Sequence, residues 1–307
     1  MSHRVITASE PILRSQCLLG EGPVWDPKRG LLYFVDIQKG VIHTYNPSTE
    51  VHLKAHYEGL IGNIVLRKNH PGFVCAIGSS LFFADPASEP GKLVPFVTPV
   101  KEDDSSREFI RFNDGYADRQ GRYITGTMDL KGSTPRGVLY SIEPDGSIQQ
   151  LLDGVTCSNG TGWTADDKTM YYIDSGLGKI QAYHYDLSTG SVTNPRTFTT
   201  NTFGDDGVFD GMCMDAEDCL WVCRWRSNRL VKYTPDGKID LEIKFPKAAN
   251  VTCCVFGGPN MDELYVTTAS CAASGEDHLI DQFSEGGDLY RIKIDGTKGL
   301  EKYKFAG

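Results

Sequence analysis

Apolar and polar positions alternate with a period of two in short runs along this chain, and the runs come in pairs. One kind of run occurs six times, as Leu32–Asp36, Phe73–Ile77, Arg122–Gly126, Met170–Asp174, Leu220–Cys223 and Leu264–Thr268, each rich in β-branched and aromatic residues. A second, alternating run follows each within a short distance: Val41–Tyr45, Ser80–Phe83, Val138–Ile142, Ile180–His184, Leu230–Tyr233 and Leu289–Lys293. Turn chemistry closes most of these at Asn46-Pro47, Asp85-Pro86, Glu143–Gly146 and Thr234–Gly237.

A paired-strand unit repeating every 40 to 50 residues or so is the pattern of a propeller blade. No long amphipathic helical stretch interrupts the series, and the connections are too short and turn-rich for the helices of a parallel βαβ fold. The pattern therefore predicts one all-β domain over residues 1–307, a six-bladed β-propeller with four-stranded antiparallel blades around a central channel. Either Val5–Ser9 or Lys302–Phe305 is expected to supply the missing edge strand of the last blade.

Just upstream of each first run, at blade intervals, lie Glu21, Asn63, Asn113, Asn159, Asp210 and Thr252. All six are polar, and residues at the same point of successive blades face one another across the axis. Glycine adjoins this ring in Gly20–Pro23, Asn113–Gly115, Ser158–Gly160 and Phe209–Gly211, where it lets the backbone crowd inward. Any one Asn-Gly or Asp-Gly pair is also an ordinary turn former. Two carboxylates and several amide oxygens in a narrow channel repel unless a cation sits among them, so the ring predicts a divalent metal. Such an oxygen set suits calcium, magnesium or manganese and also accommodates zinc or ferrous iron.

Composition narrows the partners. The net charge of -9, with no basic run, disfavours nucleic acid as a partner. The first 19 residues carry neither a signal peptide nor a membrane span, which places the chain in the cytoplasm and away from membranes. Nine scattered cysteines read as reduced, mostly buried thiols. Self-association beyond a monomer or weak homodimer is not expected.

The motifs Leu19–Trp25, Arg111–Gly115, Gly126–Met128, Ser158–Gly160, Asp210–Cys213 and Cys253–Gly258 resemble the senescence marker protein, or regucalcin, family, which includes gluconolactonases. The likeness runs from Cys17 to the closing Tyr303–Gly307. It implies a six-bladed propeller with one metal ion on Glu21, Asn159 and Asp210, three positions that blade phase also marks. It further implies that Arg111 and Asn113 bind substrate oxygens. After Gly126–Met128, where the resemblance implies an acidic substrate contact, this chain reads Asp129-Leu130-Lys131. Asp129 is the expected substitute, while Lys131 reverses the charge and points to a different lactone.

The resulting expectation is a metal-dependent lactonase acting on a small lactone, with a sugar lactone as first choice. The metal polarises the ring carbonyl and Asp210 acts as general base. Two alternatives stay open: hydrolysis of a non-sugar lactone or ester, and a calcium-binding regulatory protein without catalysis. No Gly-x-Ser-x-Gly elbow, His-Glu-x-x-His motif or P-loop offers another chemistry. The connections Pro99–Ile110 and Ser270–Gly287 have the composition of mobile loops and are expected over the channel mouth, or else to be solvated without function.

Overall fold

The two recurring runs become the second and third strands of six sheets, and the stretch ahead of each pair, which carries the ring residues, is itself the innermost strand. The computed structural model describes residues 3–101 and 103–307, so residue 102 of the Pro99–Ile110 connection lies outside the described residues. Blade 1 comprises Gly20–Asp26, Leu31–Asp36, Val41–Tyr45 and His52–His56. Blade 2 comprises Ile61–Leu66, Phe73–Ile77, Ser80–Ala84 and Val94–Val97. Blade 3 follows with Ile110–Ala117, Tyr123–Asp129, Gly137–Ile142 and Ile148–Val155, and blade 4 with Ser158–Trp163, Thr169–Asp174, Lys179–Asp186 and Ser191–Thr200. Blade 5 holds Val208–Met214, Leu220–Trp225, Arg229–Tyr233 and Ile239–Lys244, and blade 6 has three strands, Asn250–Gly257, Glu263–Ala269 and Tyr290–Lys293. The protein is an all-β, six-bladed propeller, and among the described residues its helices are four short 3-10 turns.

The expected closure by a terminal strand is corrected at both ends. Arg4–Thr7 runs parallel to Ile239–Lys244 and becomes a fifth strand of blade 5, not the edge strand of blade 6. At the other end, Tyr303 and Phe305 make single bridges to Ala117 and Arg67, beside blades 3 and 2. The ring closes instead through Leu13 bridged to Leu289, Leu19 bridged to Ala269, and Trp25 stacked on Tyr265 with centroids 5.6 Å apart.

Each blade presents apolar side chains to both neighbours, so the core is divided into six clusters, one between each successive pair of blades. The cluster between blades 6 and 1 unites Trp25, Phe34 and Tyr45 with Val255, Tyr265 and Leu289. That burial, rather than a shared strand, joins the two ends of the ring. All nine cysteines are free thiols, and all but Cys157 are buried.

Every inner strand slips register where its ring residue sits: after Glu21, Ile61, Phe112, Ser158, Phe209 and Val251. A bulge of this kind breaks simple alternation and re-aims side chains, which lets adjacent polar residues turn toward the axis. The glycines beside the bulges keep the inner strands close. A Cβ on Gly211 would press on the Cys253 thiol and lie 2.9 Å from the Cys253 Cα. Gly211→Ala is therefore expected to cost about 1–3 kcal/mol as overpacking. Urea unfolding should show a lower midpoint at unchanged slope, and an unchanged midpoint would mean that blade 6 yields freely.

Candidate functional site

The bulged positions of blades 1, 3, 4 and 5 open onto one cavity of about 550 Å³, lined by Glu21, Arg111, Asn113, Asn159 and Asp210. Met128, Lys131, Cys157, Ser175 and Arg226 also line it, and Ile37, Leu60, Leu130, Val208, Trp225 and Ala273 supply apolar wall. The other two ring positions serve as ties between blades. Asn63 donates to Thr125 Oγ1 at 3.2 Å and Thr252 donates to the Gly20 carbonyl at 2.6 Å.

Burial dominates the electrostatics. It raises the Glu21 and Asp210 carboxyls well above the usual carboxylate range, and Asp210 and Asp114 add to the rise at Glu21, as Asp114 does at Asp210. The Glu21 carboxylate also accepts from the Gly22 amide at 2.9 Å. No Lys, Arg or His among the described residues forms an ion pair with either carboxylate, although Arg111 lowers both pKa values from a distance. Burial in turn lowers the Arg111 pKa, against the pull of Glu21 and Asp210.

Asn159 is held rather than free to rotate. Its Nδ2 donates to Ser175 Oγ at 2.9 Å, and Ser175 donates to the Phe209 carbonyl at 2.7 Å. The Asn159 Oδ1 is buried and has no hydrogen-bond partner, which costs about 1–3 kcal/mol unless something meets it. Two buried carboxylates short of positive charge and an orphaned amide oxygen form an all-oxygen donor set, and that set fits a hard divalent cation. Asn113 has a different task here: its Oδ1 accepts from Arg111 Nη1 at 2.7 Å and its Nδ2 donates to the Ser158 carbonyl at 2.8 Å. It fixes the guanidinium, whose Nη1 also reaches the Phe112 carbonyl at 2.9 Å.

Asp129 is not brought into this group. Its carboxylate accepts from the Ser133 and Thr134 amides at 3.2 and 3.3 Å and pairs with Arg136 at 3.1 Å, so it braces its own loop. Lys131 lines the cavity in its stead. Of the two long connections, Ser270–Gly287 reaches the cavity through Ala273 and through Glu276, which pairs with Arg226 at 3.0 Å. The other supports it indirectly, as the Phe109 carbonyl accepts from the Leu130 amide at 2.8 Å.

Sequence reasoning missed Asp114, whose carboxylate lies with those of Glu21 and the thiol of Cys253 in a group within 4.8 Å. Burial raises its pKa, while Lys302 and the Tyr116 hydroxyl, which donates at 2.7 Å, counter the rise. The signal was present in Asn113-Asp114-Gly115, where a bulge admits two consecutive side chains to the axis. Lys302 comes from the last residues of the chain, and nothing in its local sequence marked it. A second group, Cys17, Asp36 and His43, is buried in blade 1, but Asp36 is occupied by the Leu18 and Leu19 amides at 2.8 and 3.1 Å.

Fold and cavity together define a six-bladed propeller with an oxygen-donor site at its axis. A family model described as SMP-30/Gluconolactonase/LRE-like region matches residues 19–270, and the chain belongs to that family. The chain is 38% identical to regucalcin of Xenopus laevis over 298 residues, which is 94% of this chain and 95% of that one. Among solved structures, a calcium-binding protein, regucalcin, from Agrobacterium tumefaciens str. C58 matches with TM-score 0.90 and 25% identity, covering 100% of both chains. A luciferin-regenerating enzyme matches with TM-score 0.85 and 31% identity, covering 95% of this chain and 97% of that one. The resemblance read from the motifs is thus borne out at the level of the family. No helix among the described residues is long and apolar enough to cross a membrane.

Proposed function

We propose that the protein is a metal-dependent lactonase that opens a small lactone to its hydroxy acid. Membership of a family named in part for gluconolactonase supports a lactonase-type activity. The single observation that carries the metal-dependent form is the meeting of two buried, charge-starved carboxylates with the orphaned Asn159 Oδ1 in one cavity. Glu21, Asn159 and Asp210 would hold the ion. When bound, a divalent cation supplies Lewis acidity that favours negative charge on the lactone carbonyl oxygen.

The remaining work falls to side chains. Asp210, which accepts from the Asn159 side-chain amide and the Gly211 amide, would take a proton from the attacking water. Water adds to the carbonyl carbon, the ring C–O bond breaks, and the released alkoxide recovers a proton. The product is a hydroxy acid whose ionisation frees one proton to solution. Arg111, oriented by Asn113, offers its remaining N–H groups to a substrate or product oxygen. Asn159 and Ser175 position rather than react.

A calcium-binding role without catalysis is the second reading, favoured by the description of the Agrobacterium relative. Proton release on a panel of lactones separates the two. Stripping the protein of divalent ions should abolish ring opening, and adding back calcium, zinc, manganese, magnesium or ferrous iron singly should restore it with one of them. Hydrolysis at the same rate in chelator would remove the metal from the mechanism. A tightly bound ion with no lactone turned over would favour the second reading.

A further inference from the structure

Acidic as the whole chain is, at a net charge of -9, its cavity is lined by three cationic residues, Arg111, Lys131 and Arg226. The acidic residues lining the same cavity are Glu21 and Asp210, and on the lactonase reading a divalent ion cancels both. Arg226 is neutralised from outside by Glu276, with contacts of 3.0 and 3.3 Å. Asp129 beside Lys131 is neutralised by Arg136 at 3.1 Å. Arg111 is buried with only its Nη1 engaged, and on neutral oxygens. Lys131 forms no ion pair among the described residues. Among the described residues, two positive charges therefore have no ion-pair partner, Arg111 beside the proposed reaction centre and Lys131 on the loop that follows Met128.

We infer that the substrate is a lactone bearing a carboxylate, whose negative charge is met by Lys131 while Arg111 faces the reacting end. This rests on the lactonase reading and adds the substrate class to it. Opening the ring of a neutral lactone creates one negative charge, which Arg111 and the metal suffice to receive. A second unpaired cation gains nothing from such a substrate, but it pairs with a carboxylate carried into the cavity. Ile37, Leu60 and Leu130 add apolar wall to the cavity, while Lys131 itself is exposed, so its pairing with a substrate carboxylate is one that salt screens.

Matched lactones test this. Glucono-1,4-lactone and glucaro-1,4-lactone differ only in a hydroxymethyl group against a carboxylate, and further aldono and aldaro pairs extend the set. Metal-loaded protein is expected to show kcat/KM about tenfold higher or more for the carboxylate-bearing member of a pair, with the preference shrinking as salt is raised. Lys131→Glu should remove or reverse the preference and Lys131→Arg should keep it. Lys131 is exposed on a loop, so neither variant threatens the fold, which a thermal melt verifies. Equal kcat/KM across the pairs, or a preference unmoved by Lys131→Glu, overturns the charge assignment while the lactonase reading stands. Failure to open any lactone of either class overturns both.

Discussion

Asp210→Asn is expected to lower lactone ring opening by about 10³-fold or more, with kcat falling rather than KM rising. Two effects combine in the loss. The amide cannot take a proton from water, and it withdraws one of the two charges proposed to hold the ion. The substitution keeps the shape of the side chain and its contact with the Gly211 amide through the remaining oxygen. It also removes a negative charge from a place where Glu21, Asp114 and Asp210 repel one another. Metal-free Asp210→Asn should consequently melt no lower than the metal-free parent, and it should melt higher if the repulsion is substantial. Loss of activity without loss of stability is the signature of a residue kept for function. A variant that retains a tenth or more of the parent rate would sink the role assigned to Asp210.

The second large effect concerns stability, and its direction follows from the raised carboxyls. In the unfolded chain Glu21 and Asp210 ionise in the ordinary range near pH 4, whereas burial holds them protonated to well above it in the folded, metal-free protein. Between those limits the folded state binds more protons than the unfolded state, so stability falls as pH rises. Their contribution is fully present below the unfolded value and is lost as pH climbs through the folded one. His43 acts in the opposite sense at lower pH, because burial beside His52 pushes it down to about 3 and it charges only on unfolding. The carboxyl contribution is therefore read as the difference between the parent and Glu21→Gln over one pH series, in which the histidine contribution cancels.

Stripped protein should lose melting temperature as pH rises above the ordinary carboxylate range of about 4, and Glu21→Gln should reduce that loss. A saturating divalent ion should raise the melting point and remove that slope, because it satisfies the ionised carboxylates directly. Metal affinity should weaken on acidification for the same reason, as binding must displace the protons. A melting point of the stripped protein that is flat or rising over this window, and unmoved in Glu21→Gln, would show that these carboxyls are not the charge-starved groups described here.

The strands were legible because their physics is local. Period-two alternation, β-branched runs and Pro-Asp-Gly turns announce themselves within a few residues, and six copies at similar intervals announce a propeller. The recurrence of Glu21, Asn113, Asn159 and Asp210 at blade phase located the cavity, because a rotational repeat converts sequence spacing into position around an axis. The innermost strands were harder to see as strands, since six bulges spoil their alternation at the very residues that face the axis.

Tertiary structure decided what local pattern could not. Arg4–Thr7 could edge blade 5 or blade 6 by its own pattern, and only the folded chain lays it parallel to Ile239–Lys244 of blade 5. Asp129 and Lys131 are two residues apart, yet one is spent on Arg136 and two loop amides while the other lines the cavity, a choice made by where the loop folds back. Lys302 meets the charge of Asp114 from the far end of the chain. The sequence by itself determined the repeat, and with it the fold and the axial ring, because those follow from neighbours along the chain. Only the folded structure decided which charges are paired and which are left over, because pairing depends on distances between residues that the chain brings together from opposite ends.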